Sequence, residues 1–583
     1  MSEIAAENSA QVYPVDARLS RWSWFVLLAY GLTILLIHLG DGRVLTRHEV
    51  LAAEPGREML HDNRFADWML PPLAGAPRTA KPPGMMWLIA GSIYIFRDES
   101  EFFARLPSAL AGLMVALMIA KLTARWYGNR LGRLAGLCQL SFVYVILQAK
   151  LSEADMTLTA AVCLAFVCLA AGILDSPAGV DGRRRLRVIF YLAGGAAFLL
   201  KGPLGLIFIT LTLVALAIFH PRKKRILPFL AEPVGITIFI LMVTIWPIVA
   251  WRLDRGIVGD WNSEAMGAAS GRWGRVPFYY YLGSVPIMML PWFPLTVIGL
   301  WRGANPDLTA VRRLDPFNLR PPPSEQEIRS RRELWRFLLC WFVPGILFLS
   351  FGMQMKHHHY SFPILPALTV PTALGLDYFV RSNVQKRLVA RFRERAPDFT
   401  WLIFLAGCCI GGVVVWKIPQ ILPALKRPAL LILLMFACGG LVAIYVEKSG
   451  LAFGVLFVYF ATAWAVAVGV QALLMPAQDD FRFQTEFARA VNGSVPPGRI
   501  VYMLGHREEE QEAQYAYYLR FPMQRLDSVA ALPHDAAILY AIAPAGMMPE
   551  LTGLGKIQVV TTCPGLRLHE TEADRLRLLR ITK

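Results

Sequence analysis

The amino-acid sequence predicts a polytopic α-helical membrane protein with a small C-terminal α/β soluble domain. The chain of 583 residues is 55% hydrophobic, its mean hydropathy is +0.45, and only 17% of its residues are charged. Soluble domains carry about 25% charged residues, so this composition is typical of a chain that lies largely within a bilayer. Apolar runs of roughly 17 to 25 residues, long enough to cross a bilayer as helices, recur along most of the chain.

These apolar runs predict thirteen membrane spans. The fourteen runs lie at about 21–40, 84–97, 103–122, 131–149, 155–174, 188–200, 202–219, 226–252, 276–300, 335–352, 360–381, 399–418, 428–446 and 450–475. Clusters of Arg and Lys separate several of them, and cytoplasmic connections are enriched in these residues. The clusters alternate correctly between the spans only if the short run at 84–97 lies in the membrane interface instead of crossing.

The same alternation predicts the domain organisation and the orientation. Residues 1–20 form a cytoplasmic N-terminus, and residues 21–475 form the membrane domain, with an outer loop at 41–83 and an interfacial helix at 84–97. Residues 476–583 contain short β-branched runs such as "GRIVYMLG" and "KIQVVTT" after a helical pattern, which indicates an α/β domain. This domain lies on the outer side, in the periplasm or the extracellular space, and the chain is a multi-pass protein of the inner (plasma) membrane.

The charge and the cysteines exclude two other classes of protein. The net charge of +17 comes from short basic clusters between apolar runs, which is the pattern of cytoplasmic loops and not of a nucleic-acid groove. We therefore expect no nucleic-acid partner. Of the eight cysteines, all but Cys563 lie in apolar runs, so they do not form a disulfide framework.

The predicted topology places several ionisable residues from distant segments on the outer side. They are Lys81 in "AKPPG", Asp155 in "SEADM", Lys201 in "LLKGPLG", and Lys356 and Tyr360 in "MKHHHYSFP". Each has a purely structural alternative, such as a snorkelling lysine or an acid that caps a helix. Together, charged residues collected at one surface of a membrane protein indicate a polar functional site. The consecutive histidines 357–359 alone do not predict a zinc site, because adjacent side chains cannot all point one way.

These segments together resemble the GT-C membrane glycosyltransferases, in the superfamily of lipid A aminoarabinose transferases and dolichyl-phosphate-mannose protein mannosyltransferases. The resemblance rests on "HEVLAAEPGREML", "FADWMLPPLAG", "AKPPGMMWL", "ARLPSALAGL", "LLKGPLGL", "YYYLGSVPIMMLPW" and "KHHHYSFPILPAL", which follow in order over about residues 20–380. It implies an enzyme that moves a sugar from a polyprenyl-phosphate carrier to a lipid, glycan or protein acceptor at the outer face of the membrane. Lipid A modification and protein glycosylation are the processes of the cell envelope in which such enzymes act.

The resemblance also implies roles for particular residues. Glu49, His48 and Asp155 are expected to supply the catalytic base or to hold a divalent metal (Mg, Mn or Zn). Lys81, Lys356, Tyr360, Lys201 and Arg57 are expected to bind the carrier phosphate. A base is needed because the acceptor hydroxyl loses a proton as it attacks, and cations stabilise the charge that develops on the leaving phosphate.

The sequence departs from the family pattern at the proposed catalytic centre. The catalytic aspartate of the family falls on His48, and Ala80 stands where aminoarabinose transferases often have an acid. A histidine can accept a proton or bind a metal, but it cannot supply negative charge. A metal held by Glu49, Asp155 and His48, a protonated His48 between the two carboxylates, or a proton shared by the carboxylates would relieve their repulsion. In the same outer loop, Glu54 is expected to lie on the solvated surface.

Two further functions are compatible with a polytopic chain. One is a lipid or solute transporter or a flippase, which would place charges and broken helices near the middle of the membrane, often in repeated halves. The other is a catalytically diverged membrane scaffold, which the histidine at position 48 would permit. The clustering of charges at one surface and the lack of an internal repeat favour the transferase.

Overall fold

The chain is described by a computed structural model. The described residues are 18–40, 44–62, 64–73, 75–174, 183–271, 274–304, 324–390, 407–409, 412, 425–449, 452–477, 482–505, 509–526, 528–533, 536–565 and 571–582.

Helices occupy the apolar runs of the membrane part of the chain. In chain order they are α1 (Arg21–Leu36), α2 (Arg47–Asp62), α3 (Phe65–Met69), α4 (Gly84–Phe96), α5 (Glu101–Tyr127), α6 (Asn129–Ser141), α7 (Val143–Gln148), α8 (Ala154–Ile173), α9 (Arg183–Lys201), α10 (Pro203–Phe219), α11 (Ile226–Leu230), α12 (Pro233–Leu253), α13 (Ile257–Ser270), α14 (Tyr280–Met288), α15 (Phe293–Ala304), α16 (Glu325–Leu347), α17 (Pro366–Ala390), α18 (Lys426–Lys448), α19 (Ala452–Gly469) and α20 (Met475–Ala477). Their apolar side chains form one large core, centred on α5, α6, α8 and α16.

Fewer helices could cross a membrane than the sequence predicts. Among the described residues, six are long and apolar enough, or up to eight if two bent helix pairs each count as one span. The bent pairs are α14 with α15, at 102°, and the turn His358–Ile364 with the start of α17, at 73°. Helices α1 and α10 have 16 and 17 residues, near the lower end of the ~17–25 residues that cross a bilayer, and α4 has only 13. Most of the predicted span at 399–418 lies outside the described residues.

Ion pairs between helices collect the basic connections at one end of the bundle, which we call the basic end. These pairs are Arg130–Asp377 (2.8 Å), Arg184–Glu232 (3.4 Å) and Arg222–Glu333 (3.0 Å). Glu232, which the sequence predicts to be structural, is buried in this group. The start of α8 and the end of α9 lie at the opposite end, together with α2, and we call this the α2 end.

The loop before α4 is an ordered part of the α2 end. It contains α2, α3 and a short antiparallel hairpin of β1 (Pro72–Leu73) and β2 (Ala76–Pro77). Indole N–H groups donate to its backbone carbonyls, from Trp87 to Trp68 (2.7 Å), from Trp246 to Met69 (2.9 Å) and from Trp261 to Thr79 (2.9 Å). A buried carbonyl needs such a donor, so these tryptophans hold the loop against the bundle.

The C-terminal part folds around a five-stranded mixed sheet. Its elements are α21 (Arg482–Ser494), β3 (Val501–Leu504), α22 (Glu509–Tyr518), β4 (Met523–Leu526), β5 (Ile538–Pro544), α23 (Met548–Leu551), β6 (Lys556–Thr562) and β7 (Leu576–Thr582). The strand order is β4-β3-β5-β7-β6, with β3 parallel to β4 and β5, and β7 antiparallel to β5 and β6. Apolar side chains cover both faces of the sheet, which explains why β3 and β5 are continuous apolar runs.

Candidate active site

A buried ion pair joins the two helices that meet at the α2 end. Asp155 lies in the first turn of α8 and is 5% exposed, and Lys201 is the last residue of α9. The Lys201 Nζ lies 2.5 Å from Asp155 Oδ1. An acid at a helix N-terminus and a base at a C-terminus each complement the helix dipole, which favours this placement of the two charges. The structure thus brings two predicted site residues together.

The histidine stretch covers this ion pair. Lys201 Nζ lies 5.4 Å from the centre of the Tyr360 ring, within the range of a cation–π contact. The rings of His357 and His359 are stacked at 5.0 Å, and Tyr360 meets both edge-on. The ring of His358 stands at 77° to that of His359. The neighbouring histidines therefore do point in different directions, as their adjacency predicts.

His48 and Lys81 interact electrostatically with the histidine stretch and with Asp155. Burial lowers the pKa of His357, and the charges of His358, Lys201 and His48 lower it further. Lys81 and His359 in turn interact electrostatically with the carboxylate of Asp155. Both His48 and Lys81 are exposed at the surface. Segments separated by up to about three hundred residues thus share one electrostatic site, which we call the outer cluster: His48, Lys81, Asp155, Lys201 and residues 357–360.

A close backbone approach brings Lys81 to this cluster. Pro82 and Pro83 follow Lys81, and Gly84 then begins α4 against the end of α9. A Cβ atom at Gly84 would lie 2.5 Å from the carbonyl oxygen of Leu199, closer than real Cβ atoms come. Only glycine therefore permits this contact, which sets Lys81 beside the helix end that carries Lys201.

Glu49 is predicted to be catalytic, but its carboxylate is fully buried and is held by hydrogen bonds from within the protein. It is 0% exposed, and its carboxylate accepts hydrogen bonds from Arg105 Nε (2.7 Å), Thr46 N (2.9 Å) and Ser152 N (3.1 Å). The Thr46 hydroxyl accepts from Glu49 N in return, which is the capping-box arrangement. Glu49 thus holds the start of α2 against α5 and the segment before α8, and it faces a fixed cation instead of an open site.

Glu153, two positions before Asp155 in "SEADM", is a further titratable residue at the α2 end. Its side chain is half-buried before α8, and Gln148 Nε2 donates to its carboxylate at 2.6 Å. Burial raises the pKa of Glu153 to about 7, and the negative charges of Asp155 and Glu49 contribute to the increase. Its carboxyl group can therefore exchange a proton near neutral pH. The pKa of Glu153 depends on its burial and on residues that are close only in the folded protein, so the sequence alone could not predict it.

Lys356 has a different environment from the one predicted for a carrier-phosphate ligand. It is buried, and its Nζ donates to the backbone carbonyls of Met353 (2.6 Å) and Val276 (3.0 Å). In the same segment, the Tyr281 hydroxyl donates to the carbonyl of His357 at 3.1 Å. These contacts fasten the histidine stretch to the connection between α13 and α14. Lys356 therefore anchors the backbone next to the outer cluster through its hydrogen bonds to these carbonyls.

Arg57 and Glu54 also differ from their predicted placement. Glu54 is buried, so its assignment to the solvated surface is wrong. Arg57 makes a two-pronged contact with Glu54, at 2.9 Å and 2.8 Å, and donates to the carbonyl of Ala516 at 2.9 Å. The guanidinium thus joins α2 to the C-terminal sheet domain, a contact that the sequence does not predict for Arg57.

The carboxylates expected to bind a metal are engaged with cations. Glu49 is paired with Arg105, and Asp155 with Lys201. Within the described part of the chain, no group of three His, Cys, Asp or Glu side chains could hold a metal ion. Glu49 and Asp155 therefore each face a cation, and with His48 they do not form a three-ligand metal set within the described residues.

Arg105 is the ion-pair partner of Glu49, and the sequence motifs do not predict it as a site residue. It lies in the first turns of α5 and is almost fully buried, with Leu39 O as a further acceptor at 3.0 Å. A signal was available, because an arginine inside an apolar run demands a buried partner. The partner itself, Glu49, is 56 positions away and could not be chosen from the sequence.

Comparisons with known proteins agree with this fold. The family model for dolichyl-phosphate-mannose-protein mannosyltransferase matches residues 80–251, which contain Lys81, Asp155 and Lys201. An undecaprenyl phosphate-alpha-4-amino-4-deoxy-L-arabinose arabinosyl transferase of Serratia proteamaculans is 27% identical over 356 residues, which cover 60% of this chain and 58% of that protein. A second such transferase, of Pseudomonas fluorescens, is 28% identical over 376 residues, which cover 63% of this chain and 61% of that protein.

The whole fold also matches a solved structure. The crystal structure of ArnT from Cupriavidus metallidurans bound to undecaprenyl phosphate superposes with a TM-score of 0.72, covering 96% of this chain and 98% of that chain, at 19% identity. The apo state of the same protein gives a TM-score of 0.71. The chain is therefore similar in sequence to these arabinosyl transferases, of which it spans about 58–61% of the length, and it shares the fold of ArnT.

Proposed function

We propose that this protein transfers a sugar from a polyprenyl-phosphate carrier to a lipid, glycan or protein acceptor at the outer face of the membrane. The observation that carries the proposal is the outer cluster, where the Asp155–Lys201 pair, Lys81 and the histidine stretch meet at one end of the bundle. The similarity to proteins named as undecaprenyl phosphate-dependent arabinosyl transferases supports the carrier class.

Lys81 and Lys201 suit the leaving phosphate. Negative charge develops on the carrier phosphate as the sugar departs, and positioned cations stabilise that charge more strongly in a low-dielectric site than in water. Lys81 is exposed beside the half-buried Lys201, so it can meet a headgroup that arrives along the membrane surface. The contact with Asp155 holds the Lys201 ammonium in place before the carrier binds.

Glu153 suits the base better than Glu49 does. The acceptor hydroxyl loses a proton as it attacks the anomeric carbon, and a base works best when its pKa lies near the working pH. Burial brings the pKa of Glu153 to about 7, whereas Glu49 is held in a fixed pair with Arg105. His48, exposed next to His357 on the same side, is placed to bind or orient the acceptor.

The finer topology is part of the same proposal. We propose thirteen spans, a cytoplasmic N-terminus and a C-terminal sheet domain on the outer side of the inner membrane. The collection of arginines at the basic end supports this orientation, because cytoplasmic loops carry the excess of basic residues. Reporter fusions after residues 128, 183 and 480 are then expected to report inside, inside and outside.

Carrier binding and sugar transfer test the function directly. The purified protein in nanodiscs is titrated with polyprenyl phosphate, and cells with and without the gene are compared by mass spectrometry of their lipids and protein glycans. We expect binding that Lys81→Ala weakens about tenfold or more, and loss of one polyprenyl-dependent modification. Lys224→Ala, in a basic connection, is the matched control and should bind like the parent. Unchanged glycans in expressing cells, together with no binding, would reject the transferase.

A further inference from the structure

The C-terminal sheet domain grips one residue of the membrane domain by both of its backbone polar groups. The Leu45 N–H donates to the Tyr518 hydroxyl at 2.9 Å, and the Leu45 carbonyl accepts from Gln514 Nε2 at 2.8 Å. Gln514 and Tyr518 are one helical turn apart on α22, so their side chains lie on the same face of that helix. Two side chains of α22 thus satisfy both backbone hydrogen-bonding groups of Leu45, as a neighbouring strand would in a sheet.

This contact is buried and connected to further polar groups. Gln514 is fully buried, and the Tyr518 hydroxyl donates in turn to the carboxylate of Glu101, at the start of α5, at 3.0 Å. The hydroxyl of Tyr517 donates to the carbonyl of Glu99 at 2.6 Å. Burial raises the pKa of Tyr518 far above its ordinary value, so its hydroxyl stays protonated and available as a donor. A buried, satisfied network of this kind has one favoured geometry.

Leu45 lies next to the first turn of α2, so a small displacement of its backbone would move His48 of the outer cluster. It directly precedes Thr46, whose hydroxyl and N–H form the capping box with Glu49. The first turn of α2 carries His48 beside the Glu49 that is fixed to Arg105. The position of Leu45 therefore sets the cap, and the cap sets the direction in which the His48 side chain leaves the helix.

We infer that Tyr518 and Gln514 are positioning residues, through which the C-terminal sheet domain holds the first turn of α2 in the geometry that the outer cluster needs. The inference rests on the proposed sugar transfer for its functional consequence, but the grip on Leu45 is itself measurable. The domain then acts as part of the catalytic apparatus, without any of its residues touching the carrier. Domain attachment by itself does not require this contact, since Arg57 already joins α2 to the carbonyls of Ala516 and Leu519.

Hydrogen exchange and kinetics of the full-length protein test the inference together. Tyr518→Phe removes the hydroxyl that accepts from Leu45 and leaves the ring in place. We expect exchange of the amides of residues 45–50 to become about tenfold faster, because the Leu45 N–H loses its partner. We also expect kcat to fall about tenfold, with the KM for the polyprenyl-phosphate sugar changed less than twofold. Gln514→Leu should act in the same direction.

Tyr540→Phe is the matched control, because Tyr540 is also a buried tyrosine but lies on β5, in the core of the sheet. It should leave both the exchange of residues 45–50 and kcat at the parent values. Parent-like exchange in Tyr518→Phe would overturn the inference, and so would faster exchange with unchanged kcat. A parent that transfers no sugar from any polyprenyl-phosphate donor would overturn the proposed function, while the exchange data would still report whether the grip on Leu45 exists.

Discussion

The two ends of the helical bundle both contain ion pairs, but they use them differently. At the basic end, arginines in the connections meet single carboxylates, and their side chains are between 27% and 75% exposed. At the α2 end, the Lys201 and Asp155 side chains are 17% and 8% exposed, and Lys201 lies over the Tyr360 ring. Exposed pairs contribute little free energy, whereas a buried pair is costly to break because it leaves an unpaired charge. The comparison teaches that the basic end joins helices, and that the α2 end concentrates charge where chemistry can use it.

The largest effect is expected from breaking the most buried pair. Arg105→Met leaves the fully buried Glu49 without its cation, and we expect the free energy of unfolding to fall by about 3–5 kcal/mol. Arg184→Met, at the basic end, should cost less than about 1 kcal/mol. Thermal unfolding of both variants in detergent measures the difference. Equal shifts would show that the two ends do not differ in this respect.

Loss of a cation in the outer cluster should affect transfer more than folding. In Lys201→Met we expect the transfer rate to fall about 10²–10³-fold, because the leaving phosphate loses a positioned charge. Arg222→Met removes a cation from a pair at the basic end and should keep the parent rate. Initial rates with a radiolabelled polyprenyl-phosphate sugar measure both. A parent-like rate in Lys201→Met would remove this lysine from the site.

The carboxyl of Glu153 should give transfer a pH dependence. Because burial raises the pKa of Glu153 to about 7, the carboxylate that accepts the proton forms only as the pH rises through that value. We expect the parent rate to reach half of its maximum near pH 7 and to level off about one pH unit above it. Glu153→Gln should lower the rate about 10²-fold and abolish this rise. In Glu232→Gln, the control at the basic end, the pH profile should not change; a parent-like profile in Glu153→Gln would assign the base elsewhere.

A small stability effect should follow the protonation of His61. The hydrogen bond to Glu99, 3.1 Å away, raises the pKa of His61 above its ordinary value. Its contribution to stability is therefore complete below about pH 6.5 and is lost as the pH rises through the raised pKa. Both side chains are about half exposed, so we expect less than about 1 kcal/mol. The unfolding midpoint of the parent should decrease slightly from pH 6 to pH 8, and His61→Gln should lack this decrease.

Removal of divalent metal should have the smallest effect. Since Glu49 and Asp155 are each paired with a cation, we expect transfer to persist in the presence of a chelator. Rates measured with excess chelator, and again after addition of Mg²⁺ or Mn²⁺, provide the test. Loss of activity that Mg²⁺ restores would mean that these carboxylates exchange their cations for a metal.

Local patterns were sufficient to predict much of the molecule. The apolar runs anticipate the helices because helix formation in a bilayer depends on a continuous stretch of apolar side chains. The run at 84–97 was expected to be too short to cross, and α4 has 13 residues. Motifs around Lys81, Asp155, Lys201 and 357–360 located segments that do meet in the outer cluster.

The sequence by itself therefore determined the membrane class, the helical segments and the segments of the site, since these depend on neighbouring residues. Only the tertiary structure decided which charge faces which. Glu49 faces Arg105 and Arg57 faces Glu54 and α22, while Lys356 faces backbone carbonyls. Several of these partners are separated by tens to hundreds of positions, and a residue type specifies what a side chain can pair with but not where its partner lies. A carboxylate suited to catalysis and one suited to a buried ion pair are the same chemical group, and burial and distance alone distinguish them.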